Sequence, residues 1–168
     1  MKLLGIALAL TMMVGVAAAD ISALVGVQLR TDPGVHQARV HGGVRGERFE
    51  ATLVVDPLYF TDGEHDLDLV GAWRPSAAHP AWAVTAGWRT VTFDLAGGTR
   101  LHQHLLAGAT VTLPCVVRGV RAELGFELAF VAVQHGAGLG TDVFPTDDRV
   151  LDVIQPAMYL RIEHAWEL

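Results

Sequence analysis

The chain has a single cysteine, Cys115, and a single lysine, Lys2. One cysteine excludes an internal disulfide, so packing or lipid must hold the chain together. Cys115 has no His or Lys beside it in sequence to lower its thiol and reads as a turn residue. Lysine and arginine total 12, of which Lys2 is one, so eleven arginines face 18 acidic residues beyond the N-terminal segment. That formal charge of −7 disfavours nucleic acid as a partner. Serine is scarce after residue 20: Ser22 and Ser76 stand alone, neither in an H-x-S nor a G-x-S-x-G context. A serine nucleophile for lipid chemistry therefore has no motif behind it. No segment after Asp20 carries a helical period.

The one long apolar run is at the start. MKLLGIALALTMMVGVAAAD offers Lys2 as a short positive region, an apolar stretch from Leu3 to Val16, and Ala17-Ala18-Ala19 as a small-residue cleavage site. This pattern predicts a cleaved signal peptide over residues 1–19 and a mature chain of one domain over 20–168. The apolar stretch falls short of the ~20 residues that a spanning helix needs.

What is present instead is period 2, segment after segment. Ile21, Ala23, Val25, Val27 and Leu29 alternate with Ser22, Gly26, Gln28 and Arg30. The pattern repeats around 35–44, 49–56, 66–74, 81–93, 101–113, 120–133 and 154–168, with turn residues between. The clearest case is VRAELGFELAFVAV, residues 120–133. Val120, Ala122, Leu124, Phe126, Leu128, Phe130 and Ala132 form one half, with Arg121, Glu123, Gly125 and Glu127 in the other. Eight strands with no room for crossover helices predict an all-β, antiparallel up-and-down barrel.

Alternation alone does not say which face is inside. A lipocalin-like soluble barrel would turn the apolar face inward, with Phe126, Phe130, Leu124, Leu105 and Trp88 lining a ligand pocket. A transmembrane barrel turns it outward. The polar face favours the second. It carries Arg39, Glu50, Arg89, Arg121, Glu123, Glu127, Arg161 and Glu163 mid-strand, interleaved with glycines, which suits a narrow interior of paired charges. Phe49, Trp73, Trp82 and Trp166 fall near one rim on the apolar face, as an interfacial girdle would. With both termini on the periplasmic side, the two longest connections, 57–65 and 135–149, fall outside.

The ending YLRIEHAWEL carries a more specific resemblance. With Leu160, Ile162, Trp166 and Leu168 at alternate positions, it resembles the final strand of bacterial outer-membrane β-barrel proteins of the small, eight-stranded class. His164 departs from the pattern, and Leu168 replaces the usual terminal aromatic residue. The resemblance implies an outer-membrane location in the cell envelope, with lipid and the barrel-assembly machinery as partners. It implies a structural or surface-interaction role through the outer loops, with a filled interior in place of an open pore.

No cofactor is expected. His102 and His104 share a face and, with His41, make a weak metal-ligand set. Asp62, Glu64, Asp66, Asp142, Asp147 and Asp148 read as a solvated acidic loop surface, since their spacing fits no calcium-loop motif. A lipid-modifying enzyme would have to use Ser22 with His102 or His104.

Overall fold

The computed structural model describes residues 21–32, 35–57, 64–75, 81–95, 98–114, 117, 119–136, 140–143 and 154–168. Residues 1–19, read from sequence as a signal peptide, and Ser76 and Cys115 lie outside the described residues. The strands are β1 (Ser22–Asp32), β2 (Val35–Arg45), β3 (Phe49–Val55), β4 (Glu64–Trp73), β5 (Trp82–Leu95), β6 (Gly98–Leu113), β7 (Val120–Gly136), β8 (Gly140–Val143) and β9 (Ile154–Glu167). There is no helix among the described residues.

Each strand pairs antiparallel with the next from β1 to β7, β7 pairs with β9, and β9 pairs with β1. That closes an eight-stranded wall and leaves it no free edge. The offset of the closure can be read from the pairs. Starting at His104, they step through Arg89, Asp68, Val54, His41, Gly26, Glu163 and Arg121. Arg121 adjoins Ala122, which pairs with Leu113. The circuit thus returns to β6 about ten residues from its start, the stagger of steeply tilted strands.

β1 starts and β9 finishes at the same end, called the turn end below. At that end Gly46 N–H donates to the Phe49 carbonyl across 2.8 Å and tightens the β2–β3 hairpin. Gly119, just before β7, has φ of 78°, which a side chain would resist. The opposite end is the loop end.

Which way the faces point follows from burial. Val25, Val27, Leu29, Leu53, Leu67, Val84, Leu105, Val111, Leu124, Phe126 and Ile162 are exposed on the outside. Arg30, Arg39, Glu50, Asp68, Arg74, Arg89, Glu123, Glu127, Arg161 and Glu163 are buried inside. This is inverted relative to a soluble barrel, and it is the architecture of a transmembrane one. The pocket residues of the lipocalin-like alternative lie on the wall's outer side: Leu105, Leu124, Phe126 and Trp88 are exposed and Phe130 is partly so.

Three sequence expectations are corrected. Residues 135–149 are not all loop: β7 continues to Gly136, and β8 folds back on it with Val133 opposite Val143. The periods read over 35–44, 81–93 and 101–113 stop short of the strands, since β2 runs to Arg45, β5 to Leu95 and β6 starts at Gly98. Ala132 does not stay on the outer face. The β6–β7 register shifts between Gln103 and His104, which pair with Val133 and Val131, so Ala132 is the extra residue of a bulge. Ala132 is buried as a result, beside Val131, which already has the inward parity.

A charged lumen in two groups

The inward side chains fall into two groups along the axis. Nearer the loop end, Arg89 on β5 grips Asp68 on β4 with Nε and Nη2, both at 2.7 Å, and reaches Glu127 on β7 at 2.8 Å. Arg30 on β1 meets the same Glu127 at 3.0 Å. Arg39 on β2 donates to Asp68 at 2.8 Å, to Asp66, and to Gln37 at 3.0 Å. Asp56, the residue after β3, is buried and within electrostatic range of Arg39. The pairs recur because cross-strand neighbours on one face sit directly opposite. Asp68 is opposite Arg89 in the register, and Arg89 is opposite His104.

Nearer the turn end, Arg45, Arg74, Arg121 and Arg161 surround Glu50, Glu123 and Glu163. Glu50 accepts from Arg45 at 2.7 Å, Arg74 at 2.9 Å and Arg161 at 2.9 Å. Glu123 takes Arg74 at 3.1 Å, Arg161 at 3.7 Å and a contact from Arg121. Glu163 takes Arg45, with His41 Nε2 at 3.4 Å and Arg121 at 3.9 Å. The three carboxylates each bring an oxygen within 4.8 Å of the others. Four guanidinium groups around them leave a metal cation no net attraction, so the arrangement is an ion-pair cluster and not a metal site.

Tyr159 on β9 divides the two groups. Its ring lies against Gly125, whose place in β7 is midway between Glu123 and Glu127, and Arg161 stands 5.6 Å over the ring centre. A Cβ on Gly125 would fall inside that ring.

Of the eight charges named from sequence, Arg39, Arg89 and Glu127 stand in the loop-end group. Glu50, Arg121, Glu123, Arg161 and Glu163 stand in the turn-end group. Sequence reasoning left out Arg30, Arg45, Arg74, Asp56 and Asp68. All five have the inward parity, Asp68 in the middle of β4 and the other four near strand ends. Asp66 is no loop residue: it lies on β4 and binds Arg39. Glu64 also lies on β4, and Asp142 on β8. Asp62, Asp147 and Asp148 are outside the described residues.

The three histidines do not converge. His41 is buried against Glu163 in the turn-end group. His102 and His104 lie toward the other end, ring centres 6.3 Å apart. Ser22 opens β1 opposite Glu167, at the far end of the barrel from His102 and His104.

On the outer wall, Phe49 and Trp73 are opposite each other, with Trp82 and Trp166 at the same turn end, each about half exposed. Between Phe49, Trp73 and Trp88 the row Ala51, Gly71, Ala86 forms the floor of an apolar groove of about 410 Å³. Leu160, Ile162, Trp166 and Leu168 occupy alternate positions on β9 and beyond it, with Ile162, Trp166 and Leu168 exposed. His164 shares their face and stacks on Trp166, centroids 6.0 Å apart.

No family model matches the chain, and no curated protein matches it. Among solved structures, the crystal structure of Neisserial surface protein A is similar at 10% identity. The match covers 88% of this chain and 96% of that one, with a TM-score of 0.41. The fold assigned to this chain follows from its own strand pairing and faces.

Proposed function

We propose that this chain is a non-enzymatic barrel of a bacterial outer membrane, with a structural or surface-interaction role exerted through its outer connections. The turn end would face the periplasm and the loop end the exterior. The observation that carries this is the inversion of faces: an apolar outer wall around a lumen packed with ion pairs. An aqueous exterior would leave the apolar wall unpaid for, whereas hydrocarbon covers it and the closed ladder satisfies the backbone. The girdle of Phe49, Trp73, Trp82 and Trp166 sits where a lipid interface would hold it. The alternating β9 residues suit capture by the assembly machinery.

Among the described residues, the charged inward groups are carboxylates and guanidiniums paired to each other, and Ser22, the one described serine, is remote from the outer histidine pair. The contact surface of this reading is the loop end, including the β7–β8 hairpin.

The test is electrophoretic mobility of the membrane fraction before and after boiling. The unboiled protein is expected in the outer-membrane fraction as a fast-migrating, detergent-resistant form that slows on heating. Recovery as a soluble periplasmic or extracellular protein with no shift would defeat the reading.

A further inference from the structure

The lumen's charges balance as a whole but not by level. Among the described inward residues there are seven arginines (30, 39, 45, 74, 89, 121, 161) and seven carboxylates (50, 56, 66, 68, 123, 127, 163). The turn-end group holds four of the arginines but three of the carboxylates, an excess of one arginine over its carboxylates. Glu47, the nearest acidic residue of the β2–β3 turn, is exposed and neighboured by the equally exposed Arg48. Arg48 meets the group through its backbone carbonyl, which accepts from Arg74 N–H at 2.8 Å.

Local geometry shows where the surplus sits. Arg74 is 1% exposed and spends Nη2 on both Glu50 and Glu123. Its Nε and Nη1 are buried without a hydrogen-bond acceptor among the described residues, and Arg121 Nε has no acceptor closer than Glu163 at 3.9 Å. Buried guanidinium N–H groups without acceptors are costly, and a surplus charge in a low-dielectric wall is costlier. The group is reachable from solution: the side chains of Arg45 and Arg121 are 14% and 18% exposed at the turn end.

We propose that the turn-end group binds one small monovalent anion of the halide class, held by Arg74 and Arg121 and admitted past Arg45. The charge selects the class. One negative charge neutralises the group, while a divalent oxyanion would reverse its sign and would need more acceptor-shaped space among side chains that already touch. The site adds to the barrel reading without depending on it, since it needs only the closed lumen.

The test uses the folded full mature barrel in a non-ionic detergent. Bromide-soaked crystals are expected to show an anomalous peak in contact with Arg74 or Arg121. In solution, the ³⁵Cl linewidth is expected to show saturable broadening that bromide competes away. Arg74→Gln leaves Glu50 and Glu123 each with two other arginines and balances the group at three against three. It is expected to weaken halide binding about tenfold, by loss of a charge-assisted donor and of the surplus charge. Arg121→Gln, at the part-exposed rim, should do the same if Arg74→Gln does not fold. A lumen without a bromide peak would overturn the proposal. So would broadening unchanged in both variants, or sulfate competing as well as bromide at matched ionic strength.

Discussion

A methyl group at position 125 would occupy space already filled by the Tyr159 ring. Overpacking of that kind costs about 1–3 kcal/mol. Gly125→Ala is therefore expected to lower the urea midpoint of the barrel refolded in lipid vesicles. The same substitution in a Tyr159→Ala background should cost well under half as much. A cost that is equal in both backgrounds would show that the ring and the glycine are not coupled. Glu50 is the other residue on which much depends, since one carboxylate serves Arg45, Arg74 and Arg161. Glu50→Gln would take one carboxylate from each of Arg45, Arg74 and Arg161, which keep only Glu163 or Glu123, and leave four guanidiniums sharing two carboxylates, a loss of about 3–5 kcal/mol by the rule for broken buried pairs. Arg121→Gln removes a partner at the part-exposed rim, and Glu123 keeps Arg74 and Arg161. Its loss should stay near or below about 1 kcal/mol. The ratio between the two variants, read from urea unfolding, checks whether burial governs the energetics.

Strands are where the sequence speaks most plainly. Period 2 through Arg121, Glu123, Gly125 and Glu127 fixes the inward face of β7, because a slip of one residue would turn each of those groups into lipid. The same alternation located Arg39, Glu50, Arg89, Arg161 and Glu163. It failed where its rule is suspended. The extra residue at Ala132 flips parity beyond it, and no local composition announces a bulge. β8 was missed because Gly140–Val143 is too short for a period and lies among glycines and aspartates that read as loop. The division of charges into two groups was also hidden, since it depends on the ten-residue stagger of closure and on which strand faces which across the lumen. These points give an element-scale test. Deleting Ala132 removes the bulge without changing the parity of β7 below it, so the barrel should still fold and shift on heating. Deleting Phe126 forces either Glu123 or Glu127 outward and breaks its arginine contacts. No heat-modifiable form should accumulate. A folded ΔPhe126 barrel would mean that the register is set elsewhere.

At the scale of the whole molecule, the question is whether the closed wall encloses a passage. Eight strands leave an interior just wide enough for side chains, and here those side chains are cross-linked from β1, β2, β3, β4, β5, β7 and β9. An ion crossing the lumen would have to pass both charge groups and the Tyr159 level between them. Opening one buried pair costs about 3–5 kcal/mol, and each 1.4 kcal/mol is a factor of ten. One opened pair thus suppresses passage by about two to four orders of magnitude, and two groups in series must open for continuous flow. The turn-end anion, entering from one side, does not alter this, because the second group blocks its exit. The refolded protein in planar bilayers is therefore expected to show no steady unitary conductance, and vesicles containing it should retain small sugars. Glu50→Gln should leave the loop-end group intact and remain silent for the same reason. Steady conductance by the unmodified barrel would mean that the two groups rearrange together with little cost. The lumen would then be a gated path, and the ion pairs its moving parts.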